Sequence, residues 1–172
     1  MADVSRTLNL LRSIREKFVS AITAVPDSRW QEAPREGAWS VAEVVTHVTQ
    51  VERAINKNAK RILGEPPASV SFPKRFHLPV RFAAYRLVRI KTTIPIKPQF
   101  LGDKDKLLAS LSHARQLTAD FLESNRGRDL SIYRAPHPAL GSLNLYEWHD
   151  FIAYHEERHR KQIREIVEKF QL

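Results

Sequence analysis

The sequence has no cysteine among its 172 residues. Disulfides, thiolate metal sites and a cysteine nucleophile are therefore excluded, and any sulfur chemistry needs a thiol from outside the chain. No run approaches the roughly 18 apolar residues of a membrane span. The stretch Met1 to Phe18 carries charges throughout and lacks the apolar centre of a secretory signal, so a soluble, cytoplasmic protein is expected. Alternating strand patterns, internal repeats and low-complexity tracts are missing too. Acidic residues are absent from Pro66 to Gly102, where Lys74, Arg75, Arg81, Arg86, Arg89, Lys91 and Lys97 alternate with Phe72, Phe76, Phe82, Tyr85 and Phe100.

What is present is an ordinary globular composition, 42% hydrophobic and 27% charged. The length fits a single domain over residues 1–172. A net charge of +9 raises the possibility of nucleic-acid binding. A basic, solvated surface accounts for it more simply.

Apolar residues recur at steps of three and four in four segments, the mark of amphipathic helices. The first runs from Val4 to Thr23 with Val4, Leu8, Leu11, Ile14 or Arg15, Phe18 and Ile22 on one face. The second opens on Ser40-Val41-Ala42-Glu43, a capping box, and carries Val44, Val48, Val51, Ile55, Ala59 and Ile62 before Gly64 stops it. The third runs from Asp103 to Ser124 or Asn125, and the fourth opens on Asn144-Leu145-Tyr146-Glu147. This predicts an all-α four-helix bundle with a long basic crossover segment between the second and third helices. Prolines make most of that crossover a loop, with a short helix expected near Val80 to Ile90. It would cover a site, meet a partner or bind an anion; the simpler alternative packs its aromatics into the core.

The fourth helix carries the chemistry. Trp148, Ile152, His155, His159, Ile163, Ile166 and Phe170 share one face, so two histidines lie one turn apart on a core-facing stripe. Cβ atoms at this spacing are about 5–6 Å apart, close enough for both imidazoles to hold one ion. His47 lies on or beside the apolar stripe of the second helix. One histidine on such a face is usually a hydrogen-bonded core residue, but burying three without a shared partner is costly. A divalent metal on His47, His155 and His159 is expected, with zinc or nickel suited to imidazole donors.

His155-Glu156-Glu157-Arg158-His159 also matches H-E-x-x-H, in which Glu156 would be a general base. The extended metzincin motif fails, because Gln162 stands at its glycine and Glu165 at its third histidine. Glu156 is expected to be a solvated residue, with a place beside a metal-bound water as its catalytic alternative. His77, His113 and His149 are expected at the surface, and His137 is expected to cap or line a pocket.

Three motifs in order carry a family resemblance: Trp39-Ser40-Val41-Ala42-Glu43-Val44-Val45-Thr46-His47, then His137 to Gly141, then Glu147-Trp148 with His155, Arg158, His159 and Gln162. Together the chain resembles the DinB-like superfamily nearly end to end. The resemblance implies a four-helix bundle with a divalent metal on three histidines, which here are His47, His155 and His159. It further implies activity such as transfer of a low-molecular-weight thiol of the bacillithiol or mycothiol type to a small electrophile. A hydrolase using metal-bound water is a variant of that reading. A non-catalytic, metal-stabilised module with a basic loop for an anionic partner is the alternative, and a homodimer is plausible for either.

Overall fold

Each helix begins on a side chain that satisfies amides the helix itself leaves open. Asp3 accepts from the Arg6 amide at 2.6 Å and starts α1, Val4–Thr23. Ser40 and Glu43 exchange bonds at 3.2 and 2.7 Å and start α2, Val41–Leu63. Asp103 accepts from the Lys106 amide and starts α3, Lys104–Ser124. Asn144 and Glu147 form a second reciprocal box at the head of α4, Leu145–Lys169. Replacing Ser40 by Ala is expected to lower stability by about 1 kcal/mol. In a chain of this size that lowers Tm by about 2–4 °C, measurable by thermal denaturation.

The computed structural model describes residues 3–67, 78–85 and 102–170. Side-chain pairs fix the helix directions. Arg6 reaches Asp150 and Arg15 reaches Glu156, so α1 and α4 run parallel. Arg53 reaches Ser110 and Asn56 reaches Thr118, so α2 and α3 are also parallel. Lys104 bonds the Val25 carbonyl, placing the start of α3 beside the end of α1 and setting the two pairs antiparallel. Because α2 and α3 point the same way, Gly64 and Asp103 lie at opposite ends of a four-helix bundle. The chain between them has to return the length of a helix, about 30 Å at 1.5 Å per residue, which a tight turn cannot do.

The core between the four helices divides into two large apolar clusters, with a third, smaller one under the hairpin. One gathers Val4, Leu11, Ile55, Ala59, Phe121, Leu122, Leu145 and Ile152. The other gathers Phe18, Ile22, Trp30, Val41, Val44, Val48, Leu111, Ile163 and Ile166.

One element departs from the sequence reading. The loop before α4 is an antiparallel hairpin, β1 (Arg134–His137) and β2 (Gly141–Asn144). Its four-residue strands are too short to show alternation, and Pro136 within β1 argues against a strand in sequence. Gly141 adopts φ +94, a conformation other residues resist. Leu145 donates to Tyr133 O and Trp148 Nε1 to Ala135 O, which fastens the hairpin to the first turns of α4.

Within the crossover, Val80–Ala84 forms a 3-10 helix against α4, and Val80 packs with Leu140 and Leu143. Tyr85 is extended and ends that helix short of the expected Ile90; residues 86–90 lie outside the described residues, as do Lys74, Arg75, His77, Lys91 and Lys97. Phe82 and Tyr85 do not enter the core: they are 48% and 50% exposed. The short helix turns only Val80 fully inward.

Candidate metal centre

The bundle brings His47, His155 and His159 together. The Nε2 atoms of His155 and His159 stand 3.2 Å apart, with their rings edge to face. The His47 ring centroid lies 5.2 Å from that of His155 and 5.0 Å from that of His159. One ligand nitrogen from each falls within 4.8 Å of the others. Two nitrogens on one tetrahedral zinc, each at about 2.0–2.1 Å, would be about 3.3–3.4 Å apart. The α4 pair is within about 0.2 Å of that separation, so these three residues could hold a metal ion.

The protonation states fit as well. Gln162 Oε1 lies 2.9 Å from His159 Nδ1. An amide oxygen only accepts, so Nδ1 carries the proton and Nε2 turns a lone pair to the centre. Burial holds His155 well below the ordinary histidine range, helped by the neighbouring His159 and His47 and by Arg158. It is therefore neutral near pH 7, as a ligand must be.

Aromatic rings wall the cluster. Trp39 lies 4.9 Å from His47 and stacks over His159, while Phe151 stacks on His155 at 5.5 Å. The 3-10 helix borders the same face of α4: Arg158 donates to Tyr85 O, and Lys161 to Ala84 O at 3.1 Å. His155 is only partly buried, whereas His47 and His159 are buried.

Glu156 corrects the sequence reading. Far from being solvated, it is 0% exposed and held by two arginines. Arg15 donates to Glu156 at 2.5 Å and to Glu52 at 2.6 Å. Arg115 donates to the same two carboxylates at 2.9 and 2.8 Å. The result is a closed, neutral ring with one charged residue from each helix. The Leu111 and Leu11 carbonyls accept further guanidinium protons, and Thr118 donates to Glu52. Burial works against an ionised Glu52, but Arg115, Arg15 and the Thr118 hydroxyl outweigh it and lower its pKa. Burial raises Glu156 against the pull of the same arginines. The signal was in the sequence: Arg15 falls in the apolar stripe of α1, and Glu52 follows Val48 by one turn. Val51, assigned to that stripe, is only half-buried, and Glu52 takes the inward place.

The remaining histidines separate. His113 is exposed as expected. His137 caps the hairpin turn, its Nδ1 accepting from the Ala139 and Leu140 amides at 3.1 Å each. His149 is not at the surface: it is fully buried, donates Nδ1–H to Leu145 O at 2.6 Å and stacks on Phe121. The stripe on α4 is wide enough to include it, because Phe121 of α3 reaches under that edge.

Burial lowers the His149 pKa to about 4, against about 6.5 in an unfolded chain. Between these values the unfolded state binds more protons. The contribution is thus complete above pH 6.5, falls as pH drops through the window, and has lost about 3 kcal/mol at pH 4. His149→Leu removes this term. Urea unfolding from pH 7 to 4 should show wild type losing about 3 kcal/mol more than the variant; parallel losses would contradict the assignment.

A four-helix bundle with three imidazoles converging between α2 and α4 defines a narrow class. The chain belongs to the DinB superfamily, whose family model matches residues 10–163. It is similar to the uncharacterized protein YuaE of Bacillus subtilis (strain 168), 24% identical over 166 residues, 95% of this chain and 99% of that one. Its fold is similar to that in the crystal structure of TT2238, a four-helix bundle protein, at a TM-score of 0.60 and 22% identity, covering 94% of this chain and 98% of the other.

Proposed function

We propose that His47, His155 and His159 hold one divalent ion, zinc or nickel, and that the centre serves a cytoplasmic enzyme activating a small thiol against an electrophile. The observation that carries this is the convergence of three imidazole nitrogens with no carboxylate in the group. When bound, the ion supplies Lewis acidity that favours a thiolate near neutral pH. The chain has no cysteine, so the sulfur comes from a co-substrate. Gln162 orients His159 by fixing its tautomer, and burial keeps His155 neutral. Trp39 and Phe151 pack their rings against the histidines. An H-E-x-x-H hydrolase would need Glu156 as its base, and both oxygens of that carboxylate are bound to arginine.

Elemental analysis of the purified protein beside His155→Ala tests the centre. One zinc or nickel per chain, absent from the variant, is expected. Wild type without metal even after reloading at neutral pH would sink the reading. Turnover of thiol and electrophile pairs, lost in His47→Ala, tests the reaction.

A further inference from the structure

The buried Arg–Glu ring is not accounted for by the metal ligands, yet it lies beside them. Glu156 is the residue after His155 on α4, and Glu52 is five residues beyond His47 on α2. The ring also separates the two apolar clusters on every helix. It falls between Leu11 and Phe18 on α1, between Val48 and Ile55 on α2, between Leu111 and Phe121 on α3, and between Ile152 and Ile163 on α4.

Apolar contact is non-directional, and apolar cores lose their unique arrangement before they lose stability. The two clusters alone therefore do not dictate how far α2 slides along α4. A planar guanidinium bridging two carboxylates does dictate it. All four ion pairs lie between 2.5 and 2.9 Å, and a slide of one residue, about 1.5 Å, would break them. Two of the four act as diagonal braces. The helices pack mainly as α1 on α4, α2 on α3 and α2 on α4. Arg15–Glu52 and Arg115–Glu156 instead join α1 to α2 and α3 to α4, across the bundle.

We propose that the Arg15–Glu52–Arg115–Glu156 ring is a positioning element that fixes the register of α2 against α4 and so holds His47 to His155 and His159. Its metal-binding consequence rests on the reading above; the register itself does not.

The test replaces the ring by apolar residues of similar size, Arg15→Met, Glu52→Leu, Arg115→Met and Glu156→Leu together. A milder variant, Arg115→Lys, keeps the charge but loses the two-carboxylate fork. Cross-relaxation between the ring protons of His47 and those of His155 and His159 is measured by NMR in metal-free protein. Zinc dissociation constants follow by chelator competition. The apolar variant is expected to fold cooperatively, lose the His47 cross-peaks and bind zinc about 10–100-fold more weakly, the scale of other supporting-residue losses. Arg115→Lys is expected to weaken the cross-peaks and to cost several-fold in zinc affinity. Cross-peaks of wild-type intensity in the folded apolar variant overturn the proposal, whatever the zinc affinity. If that variant does not fold, unchanged cross-peaks in Arg115→Lys overturn it instead. A wild-type protein that shows the cross-peaks but binds no zinc ends the metal reading and leaves the register to be judged by the cross-peaks.

Discussion

Glu52→Gln should destabilise the protein by about 3–5 kcal/mol, the cost of breaking a buried ion pair from one side. The substitution keeps the shape of the side chain and removes only its charge. Arg15 and Arg115 would then share one carboxylate, leaving an uncompensated positive charge among residues that are 11% and 14% exposed. The new amide group would also turn N–H donors toward guanidinium donors or Thr118, where the carboxylate accepted from all three. Urea unfolding at pH 7 measures the loss. A change under about 1 kcal/mol, the scale of an exposed pair, would mean that water reaches the ring. Substituting all four members together should cost far less, since replacing a whole buried ion network with apolar residues is often neutral or stabilising.

Zinc should raise the stability of the wild-type chain by about 4 kcal/mol when present at a thousand times its dissociation constant. For a protein of this length that corresponds to a Tm about 8–16 °C higher. His159→Ala should show almost none of this gain. In the proposed centre His159 would be the ligand oriented by Gln162, and its Nε2 lies 3.2 Å from that of His155. Without it, His47 and His155 remain as ring neighbours with no third donor. Thermal unfolding with and without zinc, on both proteins, gives the comparison. An equal shift in both would place the bound zinc somewhere other than this cluster.

The helices were legible because each start is written locally. Ser40 with Glu43, Asp103, and Asn144 with Glu147 all cap as their spacing indicates, and the structure adds Asp3 at the head of α1. The convergence of His47 with His155 and His159 was also readable, since a core-facing position on one helix has few places to go. What escaped were features decided by other helices. Glu156 read as a surface carboxylate because its arginine partners stand on α1 and α3, and only the place of Arg15 in an apolar stripe hinted at a buried counter-charge. His149 read as exposed because angular position on α4 says nothing about how deeply Phe121 packs beneath it. The hairpin was hidden by strands of only four residues, two periods of alternation, with Pro136 inside the first.

The charged ring has a consequence for how the molecule opens. A polar layer between two apolar clusters is a seam, and cooperative opening units commonly end at such breaks in the packing. The half holding Val4, Phe121, Leu145 and the hairpin can then unfold locally while the half around Phe18, Val44 and Ile163 stays closed. Hydrogen exchange of the native protein should accordingly resolve two protection levels within single helices, changing near Arg15, Glu52, Arg115 and Glu156. An ion bound by the histidines would slow exchange chiefly in the second half. The two ends of each helix would then behave as separate thermodynamic compartments, although the backbone runs through them unbroken.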